Sequence, residues 1–273
     1  MSANLNNLPT LDGFREISKQ QINEFHKKGH VLIKSVINKN EVGEYRNVIA
    51  NAADKYNTEK RKIEDRDTYG KAFLQVMNLW CSDERVRQFV LSKRMAKIAA
   101  DLLNVENVRI YHDQALFKEP GGGPTPWHQD QYYWPLDTHN TITMWMPLVD
   151  INTEMGMLTF ASGSHKKGCV FKNEISDESQ IEFEQYIKNE NLEVSRAEEM
   201  DAGDATFHYG FTIHNAPGNH SKKMREVMTI IYIADGARII VPQHKWQVND
   251  HKTWLMELPV GELAASELNP LVL

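Results

Sequence analysis

The chain has 273 residues, 41% of them apolar and 25% charged, with 31 basic against 37 acidic side chains for a net charge of −6. That is the composition of a globular protein long enough to bury a sizeable core, and it excludes a disordered or fibrous chain. It also argues against a nucleic-acid partner, because the densest basic run, Lys60, Arg61 and Lys62, sits among Glu59, Glu64 and Asp65 as a solvated face. The best apolar run, residues 228–234, falls far short of the roughly 18 residues a membrane helix needs. Residues 1–13 lack the basic and apolar segments of a leader, and the C-terminus is no peroxisomal address, so a cytoplasmic location is expected. Cys81 and Cys169 have neither zinc nor redox spacing and are expected as free thiols, a single disulfide being the alternative.

In chain order, Ser18 followed by Gln21 makes a capping box and Gly29 a stop, predicting a short helix between them and then a strand over residues 30–34. Val42, Tyr45, Val48 and Ile49 fall on one helical face of residues 40–56, and residues 84–91 and 93–103 repeat that character. The first 104 residues therefore read as mostly helical. From there short β-rich runs take over: residues 108–118, 127–133, 141–149, 155–160, 205–209, 211–214 and 226–234, separated by turns rich in Gly, Pro, Asn and Asp. Strands without alternating long helices favour an antiparallel sandwich or barrel, with residues 105–240 as the β core of a single domain and 241–273 as a C-terminal segment. A polar insertion over residues 173–199 interrupts the series, with its own helix expected near residues 179–188; it reads equally as a lid or a surface excursion.

The strongest local signal is Pro126-Trp127-His128-Gln129-Asp130, where an imidazole and a carboxylate two apart in a strand leave the same face. His214, placed just before the turn Asn215-Ala216-Pro217-Gly218, supplies a third ligand type. Two histidines and one carboxylate suit a facial site for non-haem Fe(II) with three positions left open. Arg225 follows across the turn, where a guanidinium can clasp a carboxylate through two parallel hydrogen bonds.

Together these segments resemble the phytanoyl-CoA dioxygenase family of Fe(II)- and 2-oxoglutarate-dependent oxygenases. The resemblance runs from about Ile17 to the C-terminus and includes Lys118-Glu-Pro-Gly-Gly, Trp127 to Asp130, Trp145 to Val149, Gly156 with Leu158, Ser162-Gly-Ser-His165, the distal group His214, Asn219 and Arg225, and Asn269-Pro-Leu271. It implies a double-stranded β-helix (jelly-roll, cupin-like) buttressed by the N-terminal helices. It implies iron on His128, Asp130 and His214, and the distal carboxylate of 2-oxoglutarate on Arg225, with Lys118, Gln114 and Trp145 lining the co-substrate pocket. One departure is Ala216, two after the distal histidine, where relatives often carry a Ser or Thr that bonds the co-substrate.

The reaction so implied couples decarboxylation of 2-oxoglutarate by O2, with release of succinate and CO2, to oxidation of a small molecule. Asp130 fills the position that halogenating relatives leave to chloride, which favours hydroxylation; desaturation, ring closure and epimerisation are not separated from it. Tyr132 and Trp134 are expected on the face of His128 and Asp130 as a substrate wall if the strand continues, and His208 as a pocket or barrel residue. The substrate reads as a natural-product or acyl- or carrier-linked compound. His26 and His30, four apart but with Gly29 between them and no third ligand near, are set aside as a metal pair. A zinc hydrolase on the same ligands leaves Arg225 unexplained, and a cupin-like binding module leaves the converging ligands without a purpose.

Overall fold

The computed structural model describes residues 8–171 and 174–273, so the readings for residues 1–7 and for Asn173 lie outside it. Ser18 caps α1 (Lys19–Lys28) in a capping box with Gln21, and Gly29, at φ 86°, closes it before β1 (His30–Ile33). Asn38 caps α2 (Lys39–Tyr56) by the same device with Glu41. After α3 (Thr68–Ala72), β2 (Leu74–Met77) and α4 (Leu79–Ser82) come α5 (Glu84–Val90) and α6 (Lys93–Leu103). The remainder is mainly β: β3 (Val108–Phe117), β4 (Thr125–His128), β5 (Thr141–Pro147), β6 (Ile151–Asn152), β7 (Thr159–Ala161), β8 (Val194–Arg196), β9 (Glu199–Met200), β10 (Ala205–Tyr209), β11 (His214–Ala216) and β12 (Val227–Ala234). Two helices interrupt it, α7 (Asp177–Asn189) before β8 and α8 (Lys245–Trp254) after β12.

The strands form antiparallel sheets. The larger has the order β1-β10-β5-β12-β3-β2, a second has β4-β11-β7-β8, and β6 pairs with β9. The period of two divides the labour in the large sheet. Met144, Met146, Phe207, Met228 and Ile230 point one way and share a core with Ile49, Phe89 and Ile98 of the helices. The intervening residues Thr143, Trp145, His208, Thr229 and Ile231 point the other way, into a cavity that Thr125, His128 and His214 of the second sheet also line. Register aligns them in rows, with His208 opposite Thr143, Thr143 opposite Ile231 and Ile231 opposite His112; Trp145, Thr229 and Gln114 follow in the next row.

Four local expectations change. The run predicted as a strand over residues 127–133 stops at His128, and Asp130–Tyr133 is a 3-10 turn. The strand expected at residues 211–214 begins only at His214. The run expected over residues 155–160 opens as a 3-10 turn, Thr153–Met155, and becomes strand at Thr159. The insertion carries the expected helix, but it also supplies β8, which pairs with β7 and extends the second sheet. Strand β2 and helices α3, α4 and α8 have no counterpart among the elements expected from the sequence. Cys81 and Cys169 are exposed and form no disulfide.

Two predictions follow from this scaffold. A Cβ on Gly29 would stand 2.3 Å from His165 Nδ1 and 2.7 Å from Thr212 Oγ1, on left-handed backbone. Gly29→Ala should therefore lose more than the roughly 1–2 kcal/mol of the backbone term alone, read as a lowered urea midpoint. Asp113, fully buried on β3, accepts from the Leu79 and Trp80 amides at 3.1 and 3.2 Å, and burial pushes its carboxyl up to about 7 despite them. Between about pH 4, where the unfolded chain releases this proton, and about pH 7 the folded state keeps it, so stability falls as pH rises through that window. The gap between wild type and Asp113→Asn should move in favour of the variant from pH 5 to pH 8; a gap independent of pH contradicts the assignment.

Candidate active site

His128 ends β4 and His214 begins β11, and the two are register partners across that pair. Their ring centroids are 4.1 Å apart. Each ring is fixed from behind: His128 Nδ1 donates to the Pro126 carbonyl at 2.8 Å and His214 Nδ1 to the Thr212 carbonyl at 2.9 Å. With the proton on Nδ1, both Nε2 atoms present lone pairs inward. The 3-10 turn after β4 brings Asp130 Oδ1 to 3.4 Å from His128 Nε2 and 3.6 Å from His214 Nε2. The three ligand atoms lie within 4.8 Å of one another. Three acceptors converging with no proton left between them repel one another unless a cation lies among them, which is the donor set a divalent metal takes.

The second oxygen of Asp130 is held apart. Thr143 donates its hydroxyl to Oδ2 at 2.8 Å, and His208 Nε2 reaches it at 3.3 Å. Asp130 is thereby aimed with one oxygen at the site and the other anchored to the large sheet. Burial opposes its ionisation, yet the facing histidines hold its carboxyl well below the usual range. Burial, with His128 beside it, pushes His214 well below the ordinary imidazole value and keeps it in the neutral form a ligand needs.

Arg225 is 1% exposed and also lines the cavity. Its Nη1 donates to the Gly156 carbonyl at 2.5 Å, its Nε finds no partner, and its guanidinium lies 5.3 Å from the Trp145 ring. Burial lowers it to about 9, so the charge survives at neutral pH without a carboxylate facing it. Trp145 and Gln114 line the same cavity, and Gln114 accepts from Gln75 Nε2 at 2.9 Å. Lys118 does not reach the wall. It forms a backbone bridge with Arg225, its Nζ donates to the Gly123 carbonyl, and burial with the Arg225 charge pushes it down to about 6.

The cavity measures about 540 Å3. Trp134 and His208 line it, whereas Tyr132 is turned away by the 3-10 geometry and stacks on His244 at 4.1 Å; Tyr133 faces inward instead. Ala216 lines the wall with Thr125, which the register places directly opposite. His26 and His30 do not meet at a metal: His26 bonds the Leu102 carbonyl and His30 bonds Ser162. Several wall residues escaped the sequence reading. Met77 and Gln75 come from β2, and Trp246, Asn249, Asp250 and Trp254 from α8. The α8 set has the spacing of one helical face and could have been read as such.

Two buried histidines and a half-buried aspartate beside a buried arginine, in the wall of an antiparallel β scaffold, make the site type of a non-haem iron oxygenase. The profile of the phytanoyl-CoA dioxygenase (PhyH) family matches residues 25–227, and the chain belongs to that family. It is similar to a probable alpha-ketoglutarate-dependent hypophosphite dioxygenase of Stutzerimonas stutzeri, 24% identical over 237 residues that span 80% of this chain and 79% of that protein. The solved structure of SnoK, a non-haem alpha-ketoglutarate-dependent carbocyclase from nogalamycin biosynthesis, matches with a TM-score of 0.76 at 25% identity, over 96% of this chain and 100% of that one. The epimerase SnoN in complex with Fe3+, alpha ketoglutarate and nogalamycin RO matches with a TM-score of 0.73 at 22% identity, over 93% and 98%. The protein is a 2-oxoglutarate-dependent non-haem iron dioxygenase.

Thr143 contacts no more than one oxygen of Asp130, so Thr143→Val isolates that oxygen's anchoring. Titration with Co(II) in place of iron should show affinity weakened by about 10–100-fold, the usual cost of losing a group that orients a ligand.

Proposed function

We propose that His128, Asp130 and His214 hold the iron, that Arg225 receives the distal carboxylate of 2-oxoglutarate, and that the enzyme hydroxylates an unactivated C–H bond of a small molecule. The chain is on this reading a single domain, residues 8–104 supporting a double-stranded β-helix in residues 105–240 that the C-terminal segment completes. The observation that carries the reading is the pairing of three convergent, proton-free acceptors with a buried arginine whose Nε has no partner.

Iron, when bound, couples oxidative decarboxylation of 2-oxoglutarate to attack on the substrate C–H bond. The chain's own residues prepare this. Arg225 offers a charged, desolvated donor pair at the end of the cavity where Trp145 walls it, so a carboxylate docks with its hydrogen bonds unscreened by water. Ala216 leaves no hydroxyl there, and Thr125, opposite it, returns one to the same wall. Thr143 and His208 keep Asp130 pointed with a single oxygen inward, which leaves room for co-substrate beside it. A carboxylate at this position favours hydroxylation over halogenation. Leu116, Leu158 and Trp134 keep the space around the reacting atoms apolar. Two of the similar proteins, SnoK and SnoN, come from nogalamycin biosynthesis, which supports a small-molecule tailoring role.

Succinate formation by Fe(II)-loaded protein with 2-oxoglutarate in air is the test. Wild type is expected to release succinate slowly without added substrate, His128→Ala to release none, and Arg225→Ala to need at least about ten-fold more 2-oxoglutarate, the cost of a charge-assisted bond pair. Unchanged turnover in His128→Ala would reject the ligand assignment.

A further inference from the structure

Among the described residues Arg225 is the only lysine or arginine in the cavity wall, and beyond Asp130 the charged groups of that wall are Asp67, Glu174 and Asp250. Two of these three acids are occupied: Asp67 caps the Gly70 amide at 2.7 Å, and Glu174 pairs with Lys245 at 3.4 Å. Asp250 is different. It is 8% exposed, takes one hydrogen bond from the Tyr111 hydroxyl at 3.1 Å, and has no basic side chain within ion-pair distance among the described residues. Its place is built: a bulge in β3 opposite β12 frees Tyr111 from the regular register, and α8 is tied to the turn after Asp130 by His244 and Gln247, both bonded to the Tyr132 carbonyl.

Trp246 and Trp254 stand four residues either side of Asp250 on the inward face of α8, and Tyr133 meets Trp246 edge-on at 6.2 Å. The Trp246 indole N–H has no partner. His112 adds no positive charge, since burial pushes it down to about 3. We propose that the substrate carries a protonated amine, received by Asp250 and the aromatic rings of Trp246 and Trp254 while its reacting carbon faces the His128, Asp130 and His214 site. The proposal rests on the reading above, in which Arg225 is taken by 2-oxoglutarate.

A carboxylate enclosed without a counter-charge is unfavourable, and burial pushes Asp250 up to about 7; an ammonium restores its charged form and gains the attraction of the ring faces. The same wall disfavours anions. Hypophosphite, the anion in the name of one similar protein, and the phosphates of an acyl thioester meet carboxylates here and find the one arginine already engaged.

The test is calorimetry on Fe(II)- and 2-oxoglutarate-loaded protein under argon, with benzylammonium, benzyl alcohol and benzoate as probes of one shape. Benzylammonium is expected to bind at least about ten-fold tighter than the alcohol, and benzoate weakest. Asp250→Asn, which keeps an acceptor for Tyr111, should bring the ammonium to the level of the alcohol with the thermal midpoint not lowered and 2-oxoglutarate affinity unchanged. No ammonium binding, equal binding of the alcohol, or a preference that survives Asp250→Asn would overturn the proposal. Intact 2-oxoglutarate affinity without amine preference fails this subsite alone, whereas absent 2-oxoglutarate affinity fails the iron site.

Discussion

The architecture turns on the carboxylate of Asp130, which joins the two sheets at the candidate active site. Its Oδ1 faces the two histidines of the smaller sheet, and its Oδ2 is held by Thr143 and His208 of the larger. Neither sheet alone makes the site. The fold's task is to bring a strand end, a strand start and one row of a six-stranded sheet into register, and the antiparallel pairings β4-β11 and β10-β5 do so.

That constraint explains how the burial is divided. The helices need cover only one face of the large sheet, and they do so with an apolar core running through Phe207, Ile230 and Met144. The opposite face is released to carry Thr143, Trp145, His208 and Thr229, polar or aromatic groups that would be costly inside a dry core and are useful around a ligand. Arg225 is the extreme case, a charge held at 1% exposure with an unbonded Nε, whose burial an anion would offset.

Much of this was legible in the residues. The capping box at Ser18 and the stop at Gly29 are local devices, and the strand series after Asn104 follows from short β-rich runs between turn residues. The ligand candidates were legible because His128-x-Asp130 is a local pattern, His214 stands just before a turn and Arg225 follows across it; the family resemblance then implied iron and 2-oxoglutarate for them. What escaped was decided by three-dimensional context. The strand carrying His128 ends early in a 3-10 turn, so alternation no longer predicts which of Tyr132 and Tyr133 faces the cavity. Strand β2 is four residues long and owes its existence to pairing with β3. Helix α8 is mostly polar outside and presents its tryptophans to a wall that a one-dimensional reading does not contain.

The central claim is that one assembled site binds metal and 2-oxoglutarate together. It is tested most directly by anaerobic calorimetry of 2-oxoglutarate binding to wild-type protein with and without Fe(II), and to Fe(II)-treated His214→Ala. The account predicts binding that requires the metal and is lost in His214→Ala. Equal binding without metal, or binding that survives loss of His214, would contradict it.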